Sequence, residues 1–289
     1  MVKSIHNNRE ETGRQVMENN TNRINYLTMD INKFEELPFT YEGSLTGQAD
    51  PMPFFFEAFS GFINAEDGVL IILPKSDMRT AMAHVLEKLE ARVSVCSPDD
   101  SYNYMLNLIH AHEQIESDDS SIAANSQTPE SNTAAVTNKA ITTLIGTVDS
   151  LRGLFKHSAD ISVSQVRKVL ISDSYIPASF VKDLTEDWNC EVCEHYTHPQ
   201  FGGLGAISCL NGDGYHVCRD LYIEIIDPET GLTLPDGKWG EIVVTSLFPA
   251  KNPLIRYRTG DVSRYLKSDC DCGSDTPRID RIRRRSAMD

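Results

Sequence analysis

Cys209 and His216 enclose six residues, and Cys270 and Cys272 flank a single Asp271 ahead of Gly273. Three thiolates and one imidazole on two short turns form a tetrahedral donor set of the kind zinc prefers. Four protein ligands leave no open coordination position, so such an ion would be structural. Cys218 lies close enough in sequence to compete for a ligand place, and buried free thiols are the alternative reading. A second candidate is Asp261, which ends the run Arg256-Tyr257-Arg258-Thr259-Gly260-Asp261. A carboxylate can accept two hydrogen bonds from a vicinal diol such as a ribose. It can equally be the polar residue of a turn that follows Gly260.

Other reactive residues point less far. Cys190 and Cys193 form a Cys-x-x-Cys inside an expected strand, where alternation puts them on opposite faces and argues against redox or metal use. His195 and His198 flank Tyr196 and read as packing or surface histidines; His110 and His112 show no sequence partner. The basic cluster Arg278 to Arg285 reads as an exposed charged tail before it reads as a phosphate site. No Ser/His/Asp set or pair of carboxylates is legible, so no catalytic residue is assigned.

The elements that must position these residues alternate. Gly68 to Pro74 is a continuous apolar run, the mark of a strand buried on both faces. Met78 to Ala91 has helical spacing, with Met82, Val85, Leu86 and Leu89 on one face, and Arg92 to Cys96 is a strand. The pattern resumes with Thr142 to Ile145 (strand), Val148 to Lys156 (helix), Val166 to Ser172 (strand), Ala178 to Trp188 (helix) and Glu191 to Tyr196 (strand). Such alternation predicts an α/β fold with a parallel sheet and flanking helices. After Phe201 come short β runs at Tyr215 to Val217, Leu221 to Asp227, Gly240 to Ser246 and Asp261 to Leu266. The turns Pro228-Glu229-Thr230-Gly231 and Pro235-Asp236-Gly237 separate them, so this part is expected to be antiparallel β. The domain division is a mobile lead-in at 1–33, an α/β part at 34–200 with a disordered insert at 113–139, and a β-rich part at 201–289.

Composition narrows the partners. A formal net charge of −15 repels nucleic-acid phosphates and anionic membrane. No apolar run reaches the ~18 residues of a membrane helix, and the polar start lacks a secretory signal, so a cytoplasmic location is expected. The seven cysteines then suggest metal or packing before disulfides.

The series Leu221-Tyr222-Ile223-Glu224-Ile225-Ile226-Asp227-Pro228-Glu229-Thr230-Gly231, then Leu234-Pro235-Asp236-Gly237, Gly240-Glu241-Ile242-Val243-Val244-Thr245 and Leu254 to Asp261, resembles the phenylacetate–CoA ligase branch of the adenylate-forming (acyl-CoA synthetase) superfamily. With a fainter similarity upstream, the resemblance covers roughly residues 34 to 112 and 140 to 289. The resemblance implies the large domain of such enzymes: ATP and Mg²⁺ activate a carboxylic acid as an acyl-adenylate, and CoA displaces AMP to give a thioester. It implies that Asp261 holds the ribose and that Tyr196-Thr197-His198-Pro199-Gln200 stands for the adenine motif. Tyr196 then stacks on adenine or packs in the core, Gln200 replaces the Mg²⁺-binding Glu, and Arg285 approaches the ribose or phosphates. An amide lacks the charge that a hard cation prefers. Gly43-Ser44-Leu45-Thr46-Gly47-Gln48-Ala49-Asp50 is either an eroded phosphate loop, with Asp50 where Lys is expected, or an ordinary turn. Ala287 stands for the hinge Asp, and the C-terminal lid domain is expected to be absent. Similar Cys/His…Cys-x-Cys-Gly patterns in this branch imply structural zinc. The expected ligand is a small carboxylic acid, with a homodimer or a partner chain supplying the lid. The competing expectations are a non-catalytic nucleotide- or acyl-binding pseudoenzyme and a zinc-stabilised structural partner.

Overall fold

The computed structural model describes residues 31–110, 140–162, 164–267 and 270–284. The expected insert at 113–139, most of the lead-in, Arg285 and the hinge lie outside the described residues. Contacts divide the chain into two compact units. One runs from Phe55 to His195, and the other takes the described residues up to Phe54 together with those from Tyr196 on. No helix among the described residues is long and apolar enough to cross a membrane.

The Phe55–His195 unit is the alternating α/β part. Its elements are β1 (Gly68–Ile72), α2 (Asp77–Lys88), β2 (Arg92–Cys96), α3 (Tyr102–His110), β3 (Thr143–Gly146), α4 (Val148–Phe155), α5 (Ser158–Ser162), β4 (Lys168–Asp173), α6 (Ala178–Asp187) and β5 (Glu191–Tyr196). The short helix α1 (Met52–Phe59) precedes them. The strand order is β2-β1-β3-β4-β5, and the β1/β2, β1/β3 and β3/β4 pairs are parallel. Every residue of β1 is buried, as its unbroken apolar sequence predicts. Helices α2 and α4 start on side-chain caps, with Ser76 accepting from the Arg79 amide and Thr147 forming a reciprocal box with Ser150. One core cluster gathers Leu70, Leu144, Leu151, Val169, Phe180 and Trp188. Under the strand starts, Asp67 pairs with Lys168 at 2.8 Å and accepts from Thr142 at 2.8 Å. Burial pushes its carboxyl up, but these bonds outweigh burial and leave it below the usual range.

The other unit is antiparallel. Strands β6 (Ala206–Ser208), β7 (Tyr215–Val217) and β11 (Arg278–Ile279) form one group, and β8 (Leu221–Ile226), β9 (Gly240–Ser246), β10 (Tyr257–Ser263) and β12 (Arg283–Arg284) form a sheet in the order β8-β9-β10-β12. The β8–β9 turn is built as its sequence suggests: Asp227 accepts from the Glu229 and Thr230 amides, and Gly231 takes a φ of 72°. Two arginines, Arg256 buried and Arg258 half-buried, tie this sheet together. Arg256 donates to both oxygens of Glu224 (3.1 and 2.9 Å) and to the carbonyls of Glu35 and Leu37. Arg258 pairs with Glu241 and donates to the Pro228 carbonyl. Burial pushes the Glu224 carboxyl up even against the pull of its guanidinium partner.

Strand β10 differs from the expected Asp261 to Leu266 run. It begins four residues earlier and carries a bulge. Arg258 faces Val243 and Val262 faces Glu241, so Thr259, Gly260 and Asp261 oppose Ile242 alone. The polar Thr-Gly-Asp sequence reads as a turn because it is the bulge, while the residues on either side of it are strand.

Candidate functional site

The bulge aims Asp261. Gly260 adopts a φ of 77° with open space where a Cβ would sit, so backbone conformation alone calls for glycine. Thr259 Oγ1 donates to the Ile242 carbonyl at 2.8 Å and accepts from the Asp261 amide at 3.0 Å. Glu241 Oε1 accepts from the Gly260 amide at 3.3 Å. Asp261 itself pairs across to Arg284 in the β10–β12 register.

The Tyr196 hydroxyl donates to Asp261 Oδ2 at 2.9 Å. Burial pushes the Asp261 carboxyl up to about 6, although the Tyr196 bond and the Arg284 charge both pull it down. The Tyr196 phenol is pushed well above its ordinary range, first by burial and then by the Asp261 charge. Its ring is 1% exposed and stands edge-on to Phe201, with centroids 6.0 Å apart at 88°. Of the two sequence readings for Tyr196, this geometry is the packed one.

Gln200 sits in a one-turn 3₁₀ helix, Pro199–Phe201, which His198 caps by accepting from the Gln200 amide. Burial holds the His198 imidazole below its usual range. The Gln200 main-chain carbonyl accepts from Leu45, while its buried Oε1 has no partner among the described residues. That single neutral oxygen is a poor match for Mg²⁺, which binds through carboxylates and phosphates. The residues present therefore do not fit the metal that the resemblance implies.

The 43–50 segment is likewise spent on the fold. The Ser44 amide donates to Asn252, Leu45 to Gln200, Thr46 to Ser44 Oγ, and Gln48 and Ala49 to Leu45. Gln48 Oε1 accepts from the Lys251 and Asn252 amides. Leu45 is fully buried beside Tyr196 and Phe201. Asp50 accepts from the Met52 amide at the start of α1. A phosphate cradle needs a run of open amides, and these point at protein acceptors. The turn reading fits; the eroded-loop reading does not.

The third cluster is the thiol–imidazole set. The ligand atoms of Cys209, His216, Cys270 and Cys272 all lie within 4.8 Å of one another. Cys209 Sγ is 3.3 Å from Cys270 Sγ, and Cys272 Sγ is 3.3 Å from His216 Nε2. His216 Nδ1 meets Thr276 Oγ1 at 2.9 Å, a contact that directs Nε2 toward the thiols. Gly273, at a φ of 78°, closes the Cys270–Cys272 turn. Burial pushes the Cys209 thiol up to about 11. At Cys270 burial acts in the same direction, but hydrogen bonds from Cys272 outweigh it and leave the thiol lowered. Cys218, the competing ligand, is buried in the apolar cluster instead. The β7 alternation explains the choice: Tyr215 and Val217 point inward and His216 outward, and Cys218 turns back into the core. The donor set fits zinc in number and kind.

No protein-family model matches the chain. Curated phenylacetate-coenzyme A ligases match part of it. The Pseudomonas putida protein is 49% identical over 63 residues, which cover 21% of this chain and 14% of that one. The Escherichia coli (strain K12) protein is 40% identical over 83 residues, covering 28% and 18%. Over these segments the chain is similar to the phenylacetate–coenzyme A ligases. Among solved structures, an open conformation of 2-hydroxyisobutyryl-CoA ligase in complex with 2-HIB-AMP and CoA aligns with a TM-score of 0.58 at 16% identity. That alignment covers 80% of this chain and 49% of the other. A long-chain-fatty-acid-CoA ligase from Archaeoglobus fulgidus gives 0.52 at 11% identity, covering 80% and 47%. These likenesses show the adenylate-forming fold. The chain spans about half the length of these solved ligases, and the matched segments span less than a fifth of the curated relatives.

The structure brings Tyr196 and Asp261 together and assembles the four zinc-type ligands. Arg285 lies outside the described residues; its neighbour Arg284 is the cation that acts on Asp261. Sequence reasoning missed Thr276 behind His216 and Glu241 behind Gly260. Both are polar residues beside a recognised motif, but their partners lie 60 and 19 residues away.

Proposed function

We propose that this chain binds the AMP portion of an adenine nucleotide through Asp261, on a β-rich unit stapled by one zinc ion. The observation that carries the reading is the Asp261 carboxylate, aimed by the Thr259–Gly260 bulge, with no hydrogen bond to Oδ1 among the described residues. A ribose hydroxyl is a suitable donor for that oxygen. The chemistry associated with this site is that of the ligases: ATP-dependent activation of a small carboxylic acid to an acyl-adenylate, followed by transfer to CoA. The residues that depart from that chemistry here are those for metal and phosphate, namely Gln200 and the 43–50 turn. AMP is therefore favoured over ATP with Mg²⁺, and occupancy over turnover. Zinc held by Cys209, His216, Cys270 and Cys272 would cross-link the turn after β6, strand β7 and the segment before β11, a structural role that leaves no site for substrate.

A thermal-shift series tests this reading. AMP is expected to raise the melting temperature more than equal concentrations of ATP with Mg²⁺, and the Asp261→Ala protein should respond to neither. Equal stabilisation by ATP with Mg²⁺, together with pyrophosphate release on adding aryl carboxylic acids, would establish the full ligase activity instead.

A further inference from the structure

We infer that the Tyr196 hydroxyl is a built-in donor to Asp261 Oδ2 that orients the carboxylate and leaves Oδ1 the more open acceptor for one ribose hydroxyl, making Tyr196 a positioning residue. This rests on the nucleotide reading above. The resemblance implies a tyrosine here that presents its ring to a base, yet this ring is buried. The ring packs with Leu45, Phe201, Leu204 and Ala206 in one apolar cluster, and it is 1% exposed. What it presents is the hydroxyl, 2.9 Å from Oδ2.

The surroundings make that bond the one that orients the carboxylate. The bulge fixes the Asp261 main chain through Thr259. The charged and titratable groups facing the carboxyl are Tyr196 from β5, Glu241 from β9, Tyr257 on its own strand and Arg284 from β12. Glu241 is committed to Arg258 and repels Asp261, and the Arg284 charge attracts it. Tyr196 is therefore the neutral donor that sets which oxygen is left. With one lone pair of Oδ2 committed to Tyr196, Oδ1 keeps both of its own and is the oxygen that a diol hydroxyl meets with less competition.

Two measurements test this. The first is the Asp261 carboxyl titration, followed by carbon NMR without nucleotide, in the wild type and in Tyr196→Phe, which keeps the ring and its packing. Loss of the donor should move the midpoint upward by about one pH unit or more; a merely structural role for Tyr196 would leave it in place. An unmoved midpoint would overturn the inference. The second uses the wild type alone, so it does not depend on the variant folding: affinities for AMP, 2′-deoxy-AMP and 3′-deoxy-AMP. One of the two deoxynucleotides should bind about tenfold or more weakly and the other within about threefold of AMP, as for loss of one charged hydrogen bond. Equal losses for both would overturn single-oxygen recognition. If the wild type binds no AMP, the nucleotide reading falls, and with it the ribose clause. A moved midpoint would then still uphold the donor pairing.

Discussion

Asp261→Asn should stabilise the protein at neutral and alkaline pH. The carboxyl is raised from its ordinary 3.8 to about 6 in the folded chain, mainly by burial. A raised acid binds its proton more tightly when folded. Stability is therefore fully present below the unfolded value and is lost as pH climbs through the folded one. At about 1.4 kcal/mol per pH unit, moving from 3.8 to about 6 corresponds to about 3 kcal/mol withheld from the fold above neutral pH. Asparagine has the same shape, stays neutral and can still accept from Tyr196, so it should recover most of that. Urea unfolding of both proteins gives the difference directly: about 2–3 kcal/mol in favour of Asn at about pH 8, shrinking to within about 0.5 kcal/mol at about pH 4. A difference that is flat with pH, or a less stable Asn variant at about pH 8, would refute the claim that this carboxylate is kept at a cost to stability.

Other perturbations have equally definite outcomes. Purified protein should contain one zinc per chain by elemental analysis. Cys270→Ser or Cys272→Ser should lose the zinc and about 2 kcal/mol or more of unfolding free energy. Glu224→Gln weakens the acceptor for the buried Arg256 and should cost about 3–5 kcal/mol by chemical denaturation. Gly260→Ala meets no atom, so its loss should be about 1–2 kcal/mol from the positive φ alone, with weaker AMP binding as Asp261 is re-aimed. Gly205→Ala would place a Cβ 1.9 Å from the Tyr196 carbonyl oxygen, and it should lower the melting temperature more than Gly260→Ala does.

The parallel strands were legible because burial on both faces leaves an unbroken apolar signal, as in Gly68–Ile72. The β8–β9 turn was legible because Pro, Asx and Gly dictate their own dihedrals. Strand β10 was misplaced because a bulge needs polar, glycine-containing sequence that imitates a turn. Strands β11 and β12 are two residues each, too short to carry a period. The zinc-type ligands Cys209, His216, Cys270 and Cys272 could be named from spacing, whereas the burial of the competitor Cys218 is a matter of packing that spacing does not announce. Tyr196 could be named but not given its role, because its hydroxyl partner lies 65 residues along the chain. The 43–50 segment failed as a phosphate loop for the same reason. Its amides find acceptors at Gln200 and Asn252, which no local pattern announces.

Calorimetric titration of AMP into the wild type and Asp261→Ala, each loaded with zinc, tests the central claim most directly. Saturable one-to-one binding by the wild type, weakened at least about tenfold in the variant, is the predicted result, as for loss of a charged hydrogen bond. Equal affinity in the two proteins, or no heat from either, would contradict a nucleotide site at Asp261 and leave the bulge as scaffold alone.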